Sequence, residues 1–225
     1  MGRRVVLGLL GLGALGIAAG AGITNAMSKV TAKDPTGLTN LIPGSGGFRY
    51  YSVAGPVAEI PTSTFALTID GLVDRPGSLT FADLAALPQT TLHHDVQCVT
   101  GWRVPDVTWG GVLLRDVLSH VGAQTTGQAV LFGSADGEYT ESLTREQAER
   151  ADVLIATSLS GAPVSNAHGG PVRLYVAPMY FYKSLKWLNR ITVSDRVVPG
   201  YWEELGYDVD AWVGQSNGRD DAPTV

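Results

Sequence analysis

Short apolar runs, each cut off by a turn signal, set the limits on this fold. Phe65–Ile69 alternates and meets Asp70-Gly71; Ala129–Phe132 runs into the turn Ala135–Gly137. Val153–Ala156, Val172–Val176 and Ile191–Val193 are similar short runs of β-formers. Thr91–Val99 reads as a strand leading into Cys98, and Trp109–Leu118 as a segment that turns helical after its two glycines. Helix starts are written at Thr80, with Asp83 three residues on, and at Thr144, from which a helix is expected through Arg150. Pro88 ends the first of these. The 28 glycines and 12 prolines point to a loop-rich fold rather than a helix bundle. Short strands mixed with short helices predict an α+β domain of mixed sheets.

The folded part begins late. Arg3-Arg4 precedes an uncharged run from Val5 to Ser28, long enough to cross a bilayer, which takes roughly 20 apolar residues. An arginine pair directly before such a run fits a twin-arginine export signal. Gly2 stands where a polar residue is usual, and Val6-Leu7 where Phe-Leu is common; Ala19-Gly20-Ala21 supplies a cleavage site. Residues 1–28 are therefore read as a signal peptide or a retained membrane anchor, with the rest of the chain exported to the periplasm or cell envelope. That route carries folded proteins, which favours a cofactor inserted before export. Residues 29–47, with Asp34-Pro35 and Pro43–Gly47, read as a linker. A domain is expected over 48–215 and an acidic tail over 216–225.

Net charge is 16 − 21 = −5 and no Lys/Arg block occurs, which argues against a nucleic-acid binder. One cysteine excludes a disulfide framework and any Cys-rich zinc or iron–sulfur site. Cys98 is then either a buried thiol or, at a strand end running into Thr100-Gly101, a soft metal ligand or nucleophile. His168-Gly-Gly-Pro-Val-Arg173 forces an irregular loop that can bring an imidazole and a guanidinium onto one anion. In Tyr180–Trp187, backbone N–H groups with Lys183 and Lys186 can cradle a phosphate; the alternative is an amphipathic segment with Leu185 and Trp187 in the core. His93 and His94 are adjacent on a strand and point to opposite faces, so one metal does not suit both. Glu203 and Glu204 read as surface charges.

Val96–Pro105, Ser134–Gly137, His168–Arg173 and Lys183–Leu188 occur in this order, and together they resemble the molybdopterin-binding oxidoreductase domain of the sulfite oxidase family. The likeness runs from about Phe48 to Trp212. It implies that family's mixed-sheet fold and one molybdenum per chain, held by a molybdopterin and by Cys98. It further implies that the pterin is held by Arg49, Tyr50, Ser134, His168, Arg173, Ser184, Leu185 and Lys186, with Arg103 and Tyr207 in the active site. Ser52 stands where sulfite oxidases carry a further substrate-binding arginine, and no haem domain or C-terminal dimerisation domain follows. The build is nearest to the exported catalytic subunit of bacterial protein-methionine-sulfoxide reductases, although that group often has Asn at the position of His168. The resemblance thus implies a monomeric oxotransferase acting on a small sulfur or nitrogen oxide or on protein methionine sulfoxide, with a separate redox partner such as a membrane haem protein. Sulfite oxidation, a metal-free binding module and a metal-free cysteine enzyme are the alternatives.

Overall fold

Alternating burial along Ala66–Gly71 (β1) turns Leu67 and Ile69 inward, and this strand opens the first of two five-stranded sheets among the described residues. The computed structural model describes residues 47–49 and 52–224. The described residues fall into two compact units, 47–49 with Trp102–Pro105, and 52–101 with 106–224. Among the described residues of the smaller unit, Phe48 meets Trp102 edge-on, with ring centroids 6.2 Å apart.

In the first sheet β1 lies between Gly77–Thr80 (β2) and Leu188–Ser194 (β10); Ala129–Ser134 (β5) and Thr140–Thr144 (β6) complete it beyond β10. β1 and β10 are parallel and the other neighbours antiparallel. The second sheet runs Gln89–Gln97 (β3), Arg103–Leu113 (β4), Val153–Leu159 (β7) and Ala162–Pro163 (β8), with Arg173–Val176 (β9) also paired to β7. Every residue of β9 is buried. Its Leu174 and Val176 share one core with Leu67, Ile155, Leu188 and Ile191.

The four α-helices among the described residues are short: Phe81–Ala86 (α1), Leu114–Val121 (α2), Arg145–Ala148 (α3) and Tyr201–Glu204 (α4). Both expected N-caps are capping boxes, Thr80 with Asp83 and Thr144 with Gln147. Several boundaries differ from expectation. The helix after Gly110-Gly111 starts only at Leu114, because Val112 and Leu113 stay in β4, paired with Ile155 and Leu154. A Cβ at Gly111 would lie 2.1 Å from the Ile155 carbonyl oxygen, so the glycine is what lets β4 close on β7. Gly71 is not a hairpin turn; it ends β1 against Val193, and the chain reverses over 72–76. The helix from Thr144 is only Arg145–Ala148. The signal or anchor and most of the linker lie outside the described residues. Among the described residues no helix is long and apolar enough to cross a membrane.

Candidate active site

The 3₁₀ turn Asn166–His168 ends at Gly169 with φ 94°, and the Gly170-Pro171 peptide is cis. A Cβ at Gly169 would sit 2.5 Å from the Lys186 Cβ, and one at Gly170 1.9 Å from the Val164 carbonyl oxygen. The paired glycines thus let two strips of backbone touch: Trp187 N–H donates to Gly169 O at 2.9 Å and Leu188 N–H to Val172 O at 2.9 Å. That closure brings His168, Arg173 and Lys186 together.

Arg173 is 1% exposed. Its guanidinium donates to the carbonyls of His168 at 2.5 Å and Ser184 at 2.5 Å, and lies 5.1 and 4.5 Å from the ring centroids of Trp109 and Phe181. No carboxylate among the described residues pairs with Arg173 or Lys186. Burial lowers Arg173 to about 9. Burial and the neighbouring Arg173 charge lower Lys186 to about 8, against a weaker pull from Asp136. Burial, then Arg173 and Lys186, lowers His168 to about 4. The Arg173 charge thus works against a positive charge on both neighbours, and an anion would relieve this. A phosphate fits this donor set, since it would pair with the guanidinium and ammonium and accept from the imidazole.

Ser165 Oγ is 2.8 Å from His168 Nδ1. Ser184 Oγ accepts the Val176 N–H at 3.0 Å, and Leu185 is buried in the core. Ser134 Oγ accepts the Asp136 N–H at 3.2 Å, while Ala135 N–H donates to Trp187 O at 2.8 Å, so the 134–136 turn abuts the Lys186 strip.

Cys98 follows β3 and is half-buried. Its thiol accepts from Thr100 Oγ1 at 3.2 Å, and Gly101 N–H closes a turn onto Cys98 O at 2.9 Å. Among the described residues no group of three His, Cys, Asp or Glu side chains can hold a metal. A lone thiol suits a soft metal whose other ligands arrive with a cofactor. Sequence reading missed a residue here. Arg219 Nη2 lies 3.5 Å from where a Cβ on Gly101 would sit, so the C-terminal segment reaches the turn that carries Cys98. Arg219 pairs with Asp221 at 2.5 and 2.9 Å, and Tyr180 Oη donates to Asp221 at 2.8 Å. No motif marks this arginine; it follows an unpatterned stretch.

Tyr207 is half-buried and meets the rings of Tyr182 and Trp202 edge-on, centroids 5.4 and 5.3 Å away. Arg103, half-buried on β4, and Arg49, exposed, belong to the smaller unit; Tyr50 lies outside the described residues. Two expectations are corrected. Lys183 does not join the phosphate cradle, because its ammonium is buried between Glu141 at 2.7 Å and Glu203 at 2.5 Å. Glu203, accordingly, is not a surface charge, whereas Glu204 is exposed.

The sequence matches the family described as oxidoreductase molybdopterin binding domain over residues 54–202. It is 34% identical over 151 residues to an uncharacterized oxidoreductase of Bacillus subtilis, covering 66% of this chain and 76% of that protein. It is 30% identical over 188 residues to a "Putative protein-methionine-sulfoxide reductase subunit" of Azospira oryzae, covering 81% of this chain and 70% of that protein. Chicken (Gallus gallus) sulfite oxidase is 29% identical over 181 residues, 68% of this chain and 39% of its own length. The sulfane dehydrogenase SoxCD of Paracoccus pantotrophus superposes with a TM-score of 0.58 at 25% identity, over 63% of this chain and 41% of that one. The chain therefore spans less than half the length of these last two. It belongs to the molybdopterin-binding oxidoreductase family that includes the sulfite oxidases, and is an oxidoreductase built on their fold.

Proposed function

We propose that the chain is the exported catalytic part of a two-component reductase that removes oxygen from protein methionine sulfoxide. The observation that supports the cofactor's placement is the buried Arg173, without a carboxylate among the described residues and flanked by His168 and Lys186. The methionine-sulfoxide assignment draws support from the Azospira oryzae relative, 70% of whose length this chain matches. When bound, a molybdopterin cofactor supplies the two-electron change that oxygen-atom transfer requires.

The chain's own residues do the rest. Cys98 gives its thiolate to the metal. Arg173, Lys186 and His168 would hold the phosphate, and Ser184 and Leu185 shape the strip beside it through their backbone, next to the Ser134 turn; the family resemblance adds Arg49 and Tyr50 as further pterin contacts. Arg103 orients the S=O group, and the Tyr207 hydroxyl donates a hydrogen bond to its oxygen. Electrons reach the chain singly from a separate carrier, a membrane haem protein in this reading, and residues 1–28 direct the chain out of the cytoplasm.

Sulfite oxidation is the second reading, favoured by the sulfite oxidase relatives. Ser52, where those enzymes carry an arginine, weighs against it; this serine turns its hydroxyl onto the Gly55 carbonyl. Molybdenum and pterin content of wild type and Cys98→Ser, followed by assays with methionine sulfoxide and with sulfite and an artificial mediator, tests both. About one molybdenum per wild-type chain, its loss or an altered thiolate spectrum in the variant, and faster turnover of methionine sulfoxide are expected. Full activity in Cys98→Ser refutes the ligand assignment, and turnover of sulfite alone selects the second reading.

A further inference from the structure

A second charged cluster is buried away from the cradle. Lys183 Nζ lies 2.7 Å from Glu141 Oε2 and 2.5 Å from Glu203 Oε1, and none of the three side chains is more than 1% exposed. Two carboxylates on one ammonium would leave a net negative charge in the interior, the costliest state a buried ion cluster can take. The other two oxygens, Glu141 Oε1 and Glu203 Oε2, are also buried, and among the described residues no donor reaches them. A proton held by Glu141 resolves both faults at once. It supplies a donor for the hydrogen bond between Glu141 and Glu203, and it leaves Lys183 facing a single negative charge. Burial, joined by the Glu203 charge, accordingly pushes Glu141 well above the usual carboxylate range despite Lys183. Burial works against the charge on Lys183, but the two glutamates outweigh it and hold it above the usual lysine range.

The cluster ties three elements together. Glu141 comes from β6, Lys183 from the 3₁₀ turn Phe181–Lys183, and Glu203 from α4. α4 can approach because Gly200 has no side chain: a Cβ there would lie 2.5 Å from Thr140 O and 2.7 Å from Glu203 Oε2. Ser142 Oγ donates to Val198 O at 2.6 Å and fixes the approach to that helix. Two site residues hang from these elements. Ser184, next to Lys183, presents the carbonyl that holds Arg173. Tyr207 N–H donates to Trp202 O of α4 at 3.1 Å.

We propose that Glu141, Lys183 and Glu203 form a proton-bearing lock that positions the Ser184–Lys186 strip through Lys183 and Tyr207 through α4. The proposal rests on the reading of that strip and of Tyr207 as site residues. The charged and titratable groups around Glu141 are Lys183 and Tyr182 from the turn, Glu203 from α4, and Tyr139 from the approach to β6, while Ser142 N–H donates to its Oε2. Tyr139 donates to Tyr182 O at 2.6 Å, and Arg173 acts on it from β9. A carboxyl whose folded-state pKa is raised stabilises the fold most at low pH, and that stability is lost as pH rises through the raised value.

The test uses cofactor-loaded enzyme and the variants Glu141→Gln, Glu141→Leu and Lys183→Met. Wild type should show the infrared C=O stretch of a buried protonated carboxyl, and Glu141→Gln should lack it. Glutamine imitates the protonated acid, so this variant should keep kcat and KM within about twofold; Tm and kcat of wild type should decline as pH rises through the raised Glu141 value, and those of the variant should not. Glu141→Leu has the volume without the hydrogen bonds and should lower kcat at least tenfold. Lys183→Met should do the same if it folds; Glu141→Gln decides the matter if it does not. An infrared band that survives in Glu141→Gln, or an alkaline decline identical to wild type, overturns the proposal. The band and the Tm profile can be read whatever the cofactor turns out to be, so failure of the molybdenum reading would appear separately as absent metal and pterin.

Discussion

Arg173 holds a positive charge that no carboxylate of the described residues meets, and its neighbours only partly make up the loss of water. Cation–π contact with Trp109 and Phe181 returns about 2 kcal/mol when desolvated. Each charge-assisted hydrogen bond to a carbonyl returns about 1.5–3 kcal/mol, against a desolvation penalty of several kcal/mol. Arg173→Met should therefore leave Tm unchanged or raise it, because an apolar side chain of similar reach removes the buried charge. Pterin retention should nonetheless fall at least tenfold, read as pterin per chain after gel filtration; a retained cofactor would show that Arg173 does not hold the anion. Lys186 gives a pH signature. Its folded-state pKa is near 8, so the empty cradle loses a cation as pH rises past 8. Affinity of cofactor-free protein for inorganic pyrophosphate should fall across that range, measured by titration calorimetry, and Lys186→Met should flatten the profile. His168 acts at the other end. With a folded-state pKa near 4 against 6.5 unfolded, its neutral form stabilises the fold above pH 6.5, and that advantage is lost as pH falls toward 4. His168→Gln should remove this part of the acid destabilisation, seen in Tm between pH 7 and 4.

The loop Gly169–Pro171 shows how little of the site is made by regular structure. Gly169→Ala would place a methyl group at φ 94° and 2.5 Å from the Lys186 side chain. The left-handed conformation alone costs about 1–2 kcal/mol, and the clash must displace Lys186 or open the Trp187–Gly169 hydrogen bond. Weaker anion binding together with a lower Tm is expected; a change in Tm alone would mean that the strip moves as one body and keeps its cradle. This loop was legible in the sequence because Gly-Gly-Pro between a histidine and an arginine leaves few other conformations. The capping boxes at Thr80 and Thr144 were legible for a similar reason, since side chain and backbone settle them locally. β6 was not: Thr140-Glu-Ser-Leu-Thr144 has one aliphatic residue and is buried through Glu141 and Ser142, whose partners lie 42 and 56 residues further on. Lys183 and Glu203 were misread for the same reason. A charged residue in a sequence reads as exposed or ligand-binding until its partner is known, and here each was the other's partner. The start of α2 was misplaced because Gly110-Gly111, which locally reads as a helix boundary, is a β-bulge shaped by the neighbouring strand.

Beyond the family match, which ends at residue 202, the chain still adds to the site. Asn217 Nδ2 donates to Tyr182 Oη at 3.1 Å, Thr224 Oγ1 to Ala177 O at 2.8 Å, and Asp221 accepts from Tyr180 and Arg219. The stretch expected to be a plain acidic tail is thus fastened over the turn 180–182 and reaches the Gly101 turn with Arg219. The main apolar core, by contrast, ends at Val213. A chain stopped after Gln215 should therefore still fold, but without these bonds, each worth about 1 kcal/mol net. A loss of about 2–4 kcal/mol would lower Tm by roughly 4–16 °C for a domain of this size. Activity should fall further than stability, because the truncation removes both the guanidinium beside the Cys98 turn and the Asn217 contact behind Tyr207's neighbour. Arg219→Ala separates these effects: the rest of the segment keeps its Asn217 and Thr224 anchors, so Tm should drop less than in the truncated chain. If Arg219 serves the substrate, KM for the sulfoxide should rise as much in Arg219→Ala as in the truncation, with pterin content unchanged in both. If it serves only to fasten the segment, Asp221→Asn, which weakens the same pair from the other side, should reproduce the Arg219→Ala values for KM and Tm alike.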